Sequence, residues 1–108
     1  MSLYAEYLHE KTDIKMLESP NAFATYVFTD KGCWIKDIYV KPEFRKTKMA
    51  SDLADMISEI ARAQGAKTLL GSVVPSAKNS NDSLKVLLAY GMILDSATND
   101  FILFRKDI

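Results

Sequence analysis

The 108 residues predict one α/β domain: a mixed sheet with antiparallel strands first, one parallel strand–helix–strand crossover, a C-terminal hairpin, and helices flanking the sheet. Three observations predict it. Apolar residues run in strand-like stretches up to Val40, switch to helical spacing over 46–64, and return to a continuous apolar run over 68–74. Turn and stop residues punctuate each switch, at Pro20, Gly32, Pro42, Gly65, Pro75 and Gly91. A composition of 48% hydrophobic and 26% charged residues suits a globular domain that closes one core, and the length is too short for two.

Taken in order, Ser2 caps a short helix to about Glu10, with Leu3, Tyr4, Tyr7 and Leu8 on one face. Residues 14–18 form a short strand, and Ser19, Pro20 and Asn21 turn it into a β-rich run over 22–29 that carries Phe23, Tyr26, Val27 and Phe28. Asp30, Lys31 and Gly32 turn the chain again, and 33–40 form a third antiparallel strand rich in aromatic and β-branched residues, ended by Pro42. Met49, Leu53, Met56, Ile57 and Ile60 repeat at helical spacing within 46–64, and Gly65 stops that helix. The run 68–74 reads as a strand buried on both faces, so strand, helix and strand make a right-handed parallel crossover. A second helix over 81–90 turns Leu84, Leu87 and Leu88 inward and stops at Gly91; strands near 92–95 and 100–104 follow, joined by a turn at Ala97, Thr98 and Asn99.

Composition excludes several functions. Fourteen basic and 14 acidic residues cancel, so no global field draws the protein to nucleic acid or to an anionic membrane. No apolar run approaches the roughly 20 residues of a membrane span, and the first ten residues lack a basic leader pattern, so the expectation is a cytoplasmic protein with no membrane partner. One cysteine, Cys33, and one histidine, His9, cannot build a disulfide or a Cys/His metal cage, and no metal is expected. Cys33 beside Trp34 reads as a small packing residue, because no histidine base lies nearby in sequence. The sequon at Asn81, Asp82 and Ser83 carries no weight without a secretory route.

The stretch from Ile35 through Lys36, Asp37, Ile38, Tyr39, Val40, Lys41, Pro42, Glu43 and Phe44 to Arg45 resembles the fourth strand and acetyl-CoA loop of the GCN5-related N-acetyltransferase (GNAT) family. Val73, Val74 and Pro75, then Asn79 and Asn81, then Tyr90, Gly91 and Met92, are similar to its fifth strand, fourth helix and closing glycine. The likeness extends over about residues 14–108 by element order, as a single domain of residues 1–108 without the family's usual first strand.

The resemblance implies acetyl-CoA as cosubstrate and a primary amine, on a small molecule or a protein, as acceptor. A pyrophosphate is held by bare amides at a helix N-terminus, and the family pattern R/Q-x-x-G-x-G/A falls here on Arg45, Lys46, Thr47, Lys48, Met49 and Ala50. Lysine replaces the central glycine. It either blocks the phosphate, at a position that needs backbone freedom, or pairs with it. Residues 36–48 hold five bases against two acids, a local excess of three positive charges, which suits an anionic ligand and leaves nucleic acid a less favoured partner through the same loop.

By the same resemblance, the backbone of Ile38, Tyr39 and Val40 binds pantetheine, with the Val40 N–H on the thioester oxygen. Asn79 and Asn81 contact pantetheine or thiol, or cap their helix. Asp37 is the candidate base, against a surface salt bridge as its other role; Tyr90 is the candidate acid, against a core tyrosine with a satisfied hydroxyl, because Leu87 stands where relatives carry tyrosine, and Tyr39 is another candidate acid. Two functions follow: an N-acyltransferase, or a catalytically silent module of the same fold that binds protein or nucleic acid. Exposed sheet edges and the aromatic first helix make a homodimer a further expectation.

Overall fold

The computed structural model describes residues 2–76, 78 and 80–108, with only the backbone of 80–83. The chain runs α1 (Leu3–Lys11), β1 (Lys15–Ser19), β2 (Ala22–Thr29), β3 (Gly32–Val40), a 3-10 turn (Pro42–Phe44), α2 (Met49–Ala63), β4 (Thr68–Val73), α3 (Ser80–Ala89), β5 (Ile93–Ala97) and β6 (Ile102–Asp107). These strands make one six-stranded sheet in the order β1-β2-β3-β4-β6-β5. Only β3 and β4 are parallel, joined by the α2 crossover; every other neighbouring pair is antiparallel. The mixed α/β class and the element order are those the sequence predicts.

The core is built on one face of this sheet. Ala22, Ala24 and Tyr26 of β2, Cys33 of β3, Leu69 and Val73 of β4 and Phe104 of β6 meet Leu53, Ile57 and Ala61 of α2 in one buried cluster. These three α2 residues are spaced by four, so one helical stripe covers the sheet. α3 lies on the same face: Leu84 and Leu87 pack on the cluster, and a Cβ at Gly71 would stand 2.9 Å from Leu87 Cδ2. Gly32 brings the foot of β3 against β4, because a Cβ there would stand 2.3 Å from the Thr68 carbonyl oxygen, and its φ is +144°.

Four expectations are corrected. α2 starts at Met49, not Lys46, because Lys46 sits at φ 63° and Thr47 Oγ1 takes the Met49 N–H at 3.2 Å, so the helix nucleates only after this turn. In α1 the buried residues are Ala5 and Leu8, whereas Leu3, Tyr4 and Tyr7 are exposed; this helix meets the sheet mainly along β1, which is too narrow to cover a broad stripe. Leu88 of α3 is exposed rather than inward, since the cluster is reached from the Leu84 and Leu87 side. The last hairpin is shifted: β5 keeps Ala97, the turn closes with Thr98 N–H donating to the Phe101 carbonyl, and β6 runs on to Asp107 because β4 pairs with it as far as Thr68. The Ser2 cap stands as expected, its Oγ accepting from the Ala5 N–H at 3.1 Å.

Candidate active site

β3 and β4 pair at only three positions, Cys33 with Leu69, Trp34 with Leu70 and Ile35 with Gly71, although β3 pairs with β2 to its end at Val40. The parallel ladder stops where β3 bulges. Thr25 stands opposite Asp37 and Tyr26 opposite Ile35, which leaves Lys36 as an extra residue on β3. A bulge bends its strand and sharpens its twist, so β3 turns away from β4 and a gap opens beyond Ile35. The bulge also changes which residues face inward. Cys33 and Ile35 meet the core below it, Ile38 and Val40 above it, and Trp34, Asp37 and Tyr39 line the opposite face.

The peptide at Val40 is aimed into this gap. Peptide groups alternate along a strand, and the Lys41 N–H donates to the Asn21 carbonyl at 2.9 Å on the β2 side. The N–H and C=O of Val40 therefore point to the β4 side, where no β4 residue stands opposite them in the ladder. Arg45 covers the carbonyl: its Nε donates to the Val40 oxygen at 2.9 Å, and its guanidinium carbon lies 5.5 Å from the centre of the Tyr39 ring, which stacks on Phe23. The proposed phosphate-loop residue Arg45 is thus folded back onto the end of β3.

The loop that follows is held by its own side chains. Thr47 Oγ1 donates to the Phe44 carbonyl at 2.6 Å and accepts from Met49 N–H, and Ser51 Oγ donates to the Lys48 carbonyl. The first amide bonded within the helix is that of Asp52, to the Lys48 carbonyl at 2.8 Å, so the preceding N–H groups of Ala50 and Ser51 form the dipole end of α2. Lys48 has φ −83°, an ordinary value, so the backbone freedom expected at the missing glycine is not needed there; the left-handed residue is Lys46. The Lys48 backbone is therefore compatible with an open loop.

Asp37 and Tyr90 lie on opposite faces of the sheet. Asp37 is exposed and accepts from Thr25 Oγ1 at 2.9 Å, while Thr25 itself is buried. It makes no salt bridge among the described residues. Tyr90 lies just beyond α3 on the helix side and donates its hydroxyl to Asp55 Oδ1 at 2.6 Å, with Ser58 Oγ at 3.4 Å. Lys106 Nζ donates to the Tyr90 carbonyl at 2.9 Å and sits 4.1 Å from its ring centre. Burial, and then the hydrogen bond to the Asp55 carboxylate, push the phenol pKa above its ordinary value. Asn79 lies outside the described residues; Asn81 falls within α3, and its side chain is likewise outside them.

Cys33 is fully buried in the core cluster, and burial pushes its thiol up to about 11, which leaves it a packing residue without nucleophilic character at neutral pH. A surface groove of about 640 Å³ lies at the foot of β3 and β4 between Thr29, Gly32, Gly65 and Thr68, away from the gap. It is open on one side and gathers no catalytic set, so the β3/β4 gap is the better candidate. Sequence reasoning missed the bulge at Lys36 and the positioning residues Thr25, Asp55 and Ser58. The bulge left a trace in the apolar pattern, which changes from odd positions at Cys33 and Ile35 to even ones at Ile38 and Val40. Thr25, Asp55 and Ser58 left none, because each is joined to its partner only by tertiary packing.

Known proteins share this architecture. The acetyltransferase (GNAT) family model matches residues 9–84. Among solved structures, the chain is similar to the paia N-acetyltransferase of Thermoplasma acidophilum in complex with coenzyme A, with TM-score 0.78 and 14% identity over 95% of this chain and 66% of that one. It is similar to a GNAT family acetyltransferase from Elizabethkingia anophelis with acetyl-CoA bound, with TM-score 0.74 and 15% identity over 98% of this chain and 82% of that one. An acetyltransferase from Thermus thermophilus gives TM-score 0.77 at 6% identity over 95% of this chain and 70% of that one. At such identities the likeness is one of fold. No curated protein matches the sequence significantly.

Proposed function

This chain belongs to the GNAT acetyltransferase family, and from that premise we propose that it is an acetyl-CoA-dependent N-acyltransferase that passes the acyl group directly to a primary amine. The observation that carries the reading is the three-pair ladder between β3 and β4, ended by the bulge at Lys36, with the Val40 peptide directed into the opening. Pantetheine lying there would meet the backbone groups of Ile38 and Val40, whereas those of Tyr39 turn with Lys41 toward β2, and the pyrophosphate would meet the first turn of α2 at the Ala50 and Ser51 amides, with Arg45, Lys46, Thr47, Lys48 and Met49 around it.

In this reading Asp37 takes a proton from the acceptor ammonium, held in place by Thr25, and releases it to solvent from its exposed position. The freed amine lone pair attacks the thioester carbonyl carbon, whose oxygen gains negative charge opposite the Val40 N–H. The C–N bond forms and the C–S bond breaks. The thiolate leaves with a proton, for which Tyr90 is the candidate donor, and the amide nitrogen loses its remaining extra proton to solvent. A base on one face of the sheet and an acid on the other suit a thioester lying in the gap between them.

The catalytically silent alternative is favoured by two departures from the family pattern, the lysine at the central loop position and Leu87 where relatives carry tyrosine. Thermal unfolding with and without acetyl-CoA tests the two readings. Saturation near 100 times Kd adds roughly 2.7 kcal/mol to the folded state, a shift on the order of 10 °C or more for a domain of this size. Free adenine nucleotide serves as the control. No shift favours the silent module. Where acetyl-CoA binds, Lys48→Gly tightens it if the side chain obstructs the phosphate and weakens it if the ammonium pairs with it.

A further inference from the structure

On the sheet face opposite α2 and α3, β3 presents Trp34, Asp37 and Tyr39 in a row beside the gap. Each is braced by a neutral neighbour. Trp34 Nε1 donates to Ser72 Oγ at 3.2 Å, and its ring packs edge-on against Phe101 at 5.9 Å. Tyr39 stacks on Phe23 at 5.8 Å, and Asp37 Oδ2 accepts from Thr25. Two cations rest on the two rings. Lys36 Nζ lies 4.4 Å from the Trp34 ring centre, and the Arg45 guanidinium lies 5.5 Å from that of Tyr39.

These charges do not neutralise one another. Among the described residues, neither Lys36 nor Arg45 has a carboxylate within 4.0 Å, and Asp37 has no cation within that distance. Lys36 and Asp37 are adjacent in sequence and their side chains serve the same face, yet Lys36 is drawn to Trp34 and Asp37 to Thr25. The result is a fixed carboxylate between two held cations. A ligand that is only cationic would gain from Asp37 and be repelled by both neighbours, whereas a ligand with an ammonium and an anion close together would satisfy Asp37 and Lys36 at once.

We propose that this strip is the acceptor subsite and that it selects a zwitterion of the free amino-acid class, its ammonium on Asp37 and its carboxylate on Lys36. The proposal deepens the acyltransferase reading and rests on it for the reaction. The subsite itself is measurable by binding alone. Trp34 and Phe101 lie beside the position of the carboxylate, so an apolar side chain on the amino acid is accommodated there.

The test is calorimetric binding of L-leucine, L-leucine methyl ester and 1,4-diaminobutane to the full chain and to Lys36→Met, which keeps the stem over Trp34 and removes the charge. L-leucine binds the unaltered chain tightest, and Lys36→Met weakens it about tenfold while leaving the ester within twofold. Equal or tighter binding of the ester or the diamine overturns the proposal, as does a Lys36→Met variant that keeps the preference for L-leucine. Circular dichroism confirms that the variant is folded. An acetyl-CoA thermal shift run alongside separates the two readings. No shift together with L-leucine selectivity removes the transferase and keeps the subsite, whereas a shift without that selectivity removes the subsite alone.

Discussion

Arg45 Nε donates to the carbonyl oxygen of Val40 at 2.9 Å, which fastens the loop after β3 onto the last residue of that strand at the mouth of the gap. The bond consumes the Val40 carbonyl and leaves the amide of the same strand end directed toward β4. Arg45→Met keeps part of the packing on Tyr39 and loses the hydrogen bond. Because the side chain is exposed, the fold loses less than about 1 kcal/mol, but the strand end loosens. If the gap holds acetyl-CoA as proposed, its affinity by calorimetry falls about tenfold, while the urea midpoint moves little.

Lys46 holds φ 63° without being glycine, a conformation that costs an L-residue roughly 1 to 2 kcal/mol. Lys46→Gly relieves that strain and adds some unfolded-chain entropy, so it stabilises by about 0.5 kcal/mol, whereas Lys46→Val destabilises by about 1 kcal/mol or more. Urea unfolding at neutral pH reads both. Lys48→Gly relieves nothing of this kind and lowers stability slightly, which distinguishes the strained position from the one that the family pattern marks.

The Cys33 thiol titrates near 9 in the unfolded chain and at about 11 when folded. Its stabilising contribution is therefore complete below pH 9 and is lost as pH rises toward 11, because the unfolded state gives up its proton first. Between pH 8.5 and 10.5 this amounts to about 2 kcal/mol. Tyr26 and Tyr90, also raised by burial, add their own loss only above pH 10. Cys33→Ala is about 1 kcal/mol less stable at pH 7 and shows a flatter alkaline decline in urea midpoints. The native thiol resists alkylation at pH 8.

Tyr90 donates to the Asp55 carboxylate, and burial together with that bond keeps the phenol protonated beyond its ordinary range. Tyr90→Phe costs about 1 kcal/mol of stability. If the phenol protonates the leaving thiolate, the same change lowers kcat at least tenfold with little effect on KM, and Asp55→Asn moves the alkaline limb of kcat to lower pH by removing the charge that raises the phenol. Unchanged kcat in Tyr90→Phe assigns the residue to packing between α2 and α3.

Much of the fold was legible because its signals are local. The stops at Gly65 and Gly91, the helical spacing from Met49 to Ile60 and the apolar run at Leu69 to Val73 each act within a few residues. The start of α2 is not legible in residue type, because Lys46 is a good helix former whose backbone is turned out of the helix by the Pro42–Phe44 turn and by Thr47. The inward face of α1 is not legible either, because spacing shows which residues share a face but not how much sheet lies beneath it.

The same division holds at the site. By itself the sequence determined the family resemblance, the strand that carries Asp37 to Val40, the basic loop after it and the order of elements around them, since these depend on residue type and spacing along the chain. Tertiary structure alone decided that Lys36 bulges, that β3 leaves β4 after Ile35, that Arg45 turns back to Val40, and that Asp37 and Tyr90 stand on opposite faces. The physical reason is that a strand's register, and the direction of each peptide and side chain, are set by the partner it pairs with, and those partners lie far away in sequence: Thr25 for Asp37, Leu69 to Gly71 for Cys33 to Ile35, and Asp55 for Tyr90.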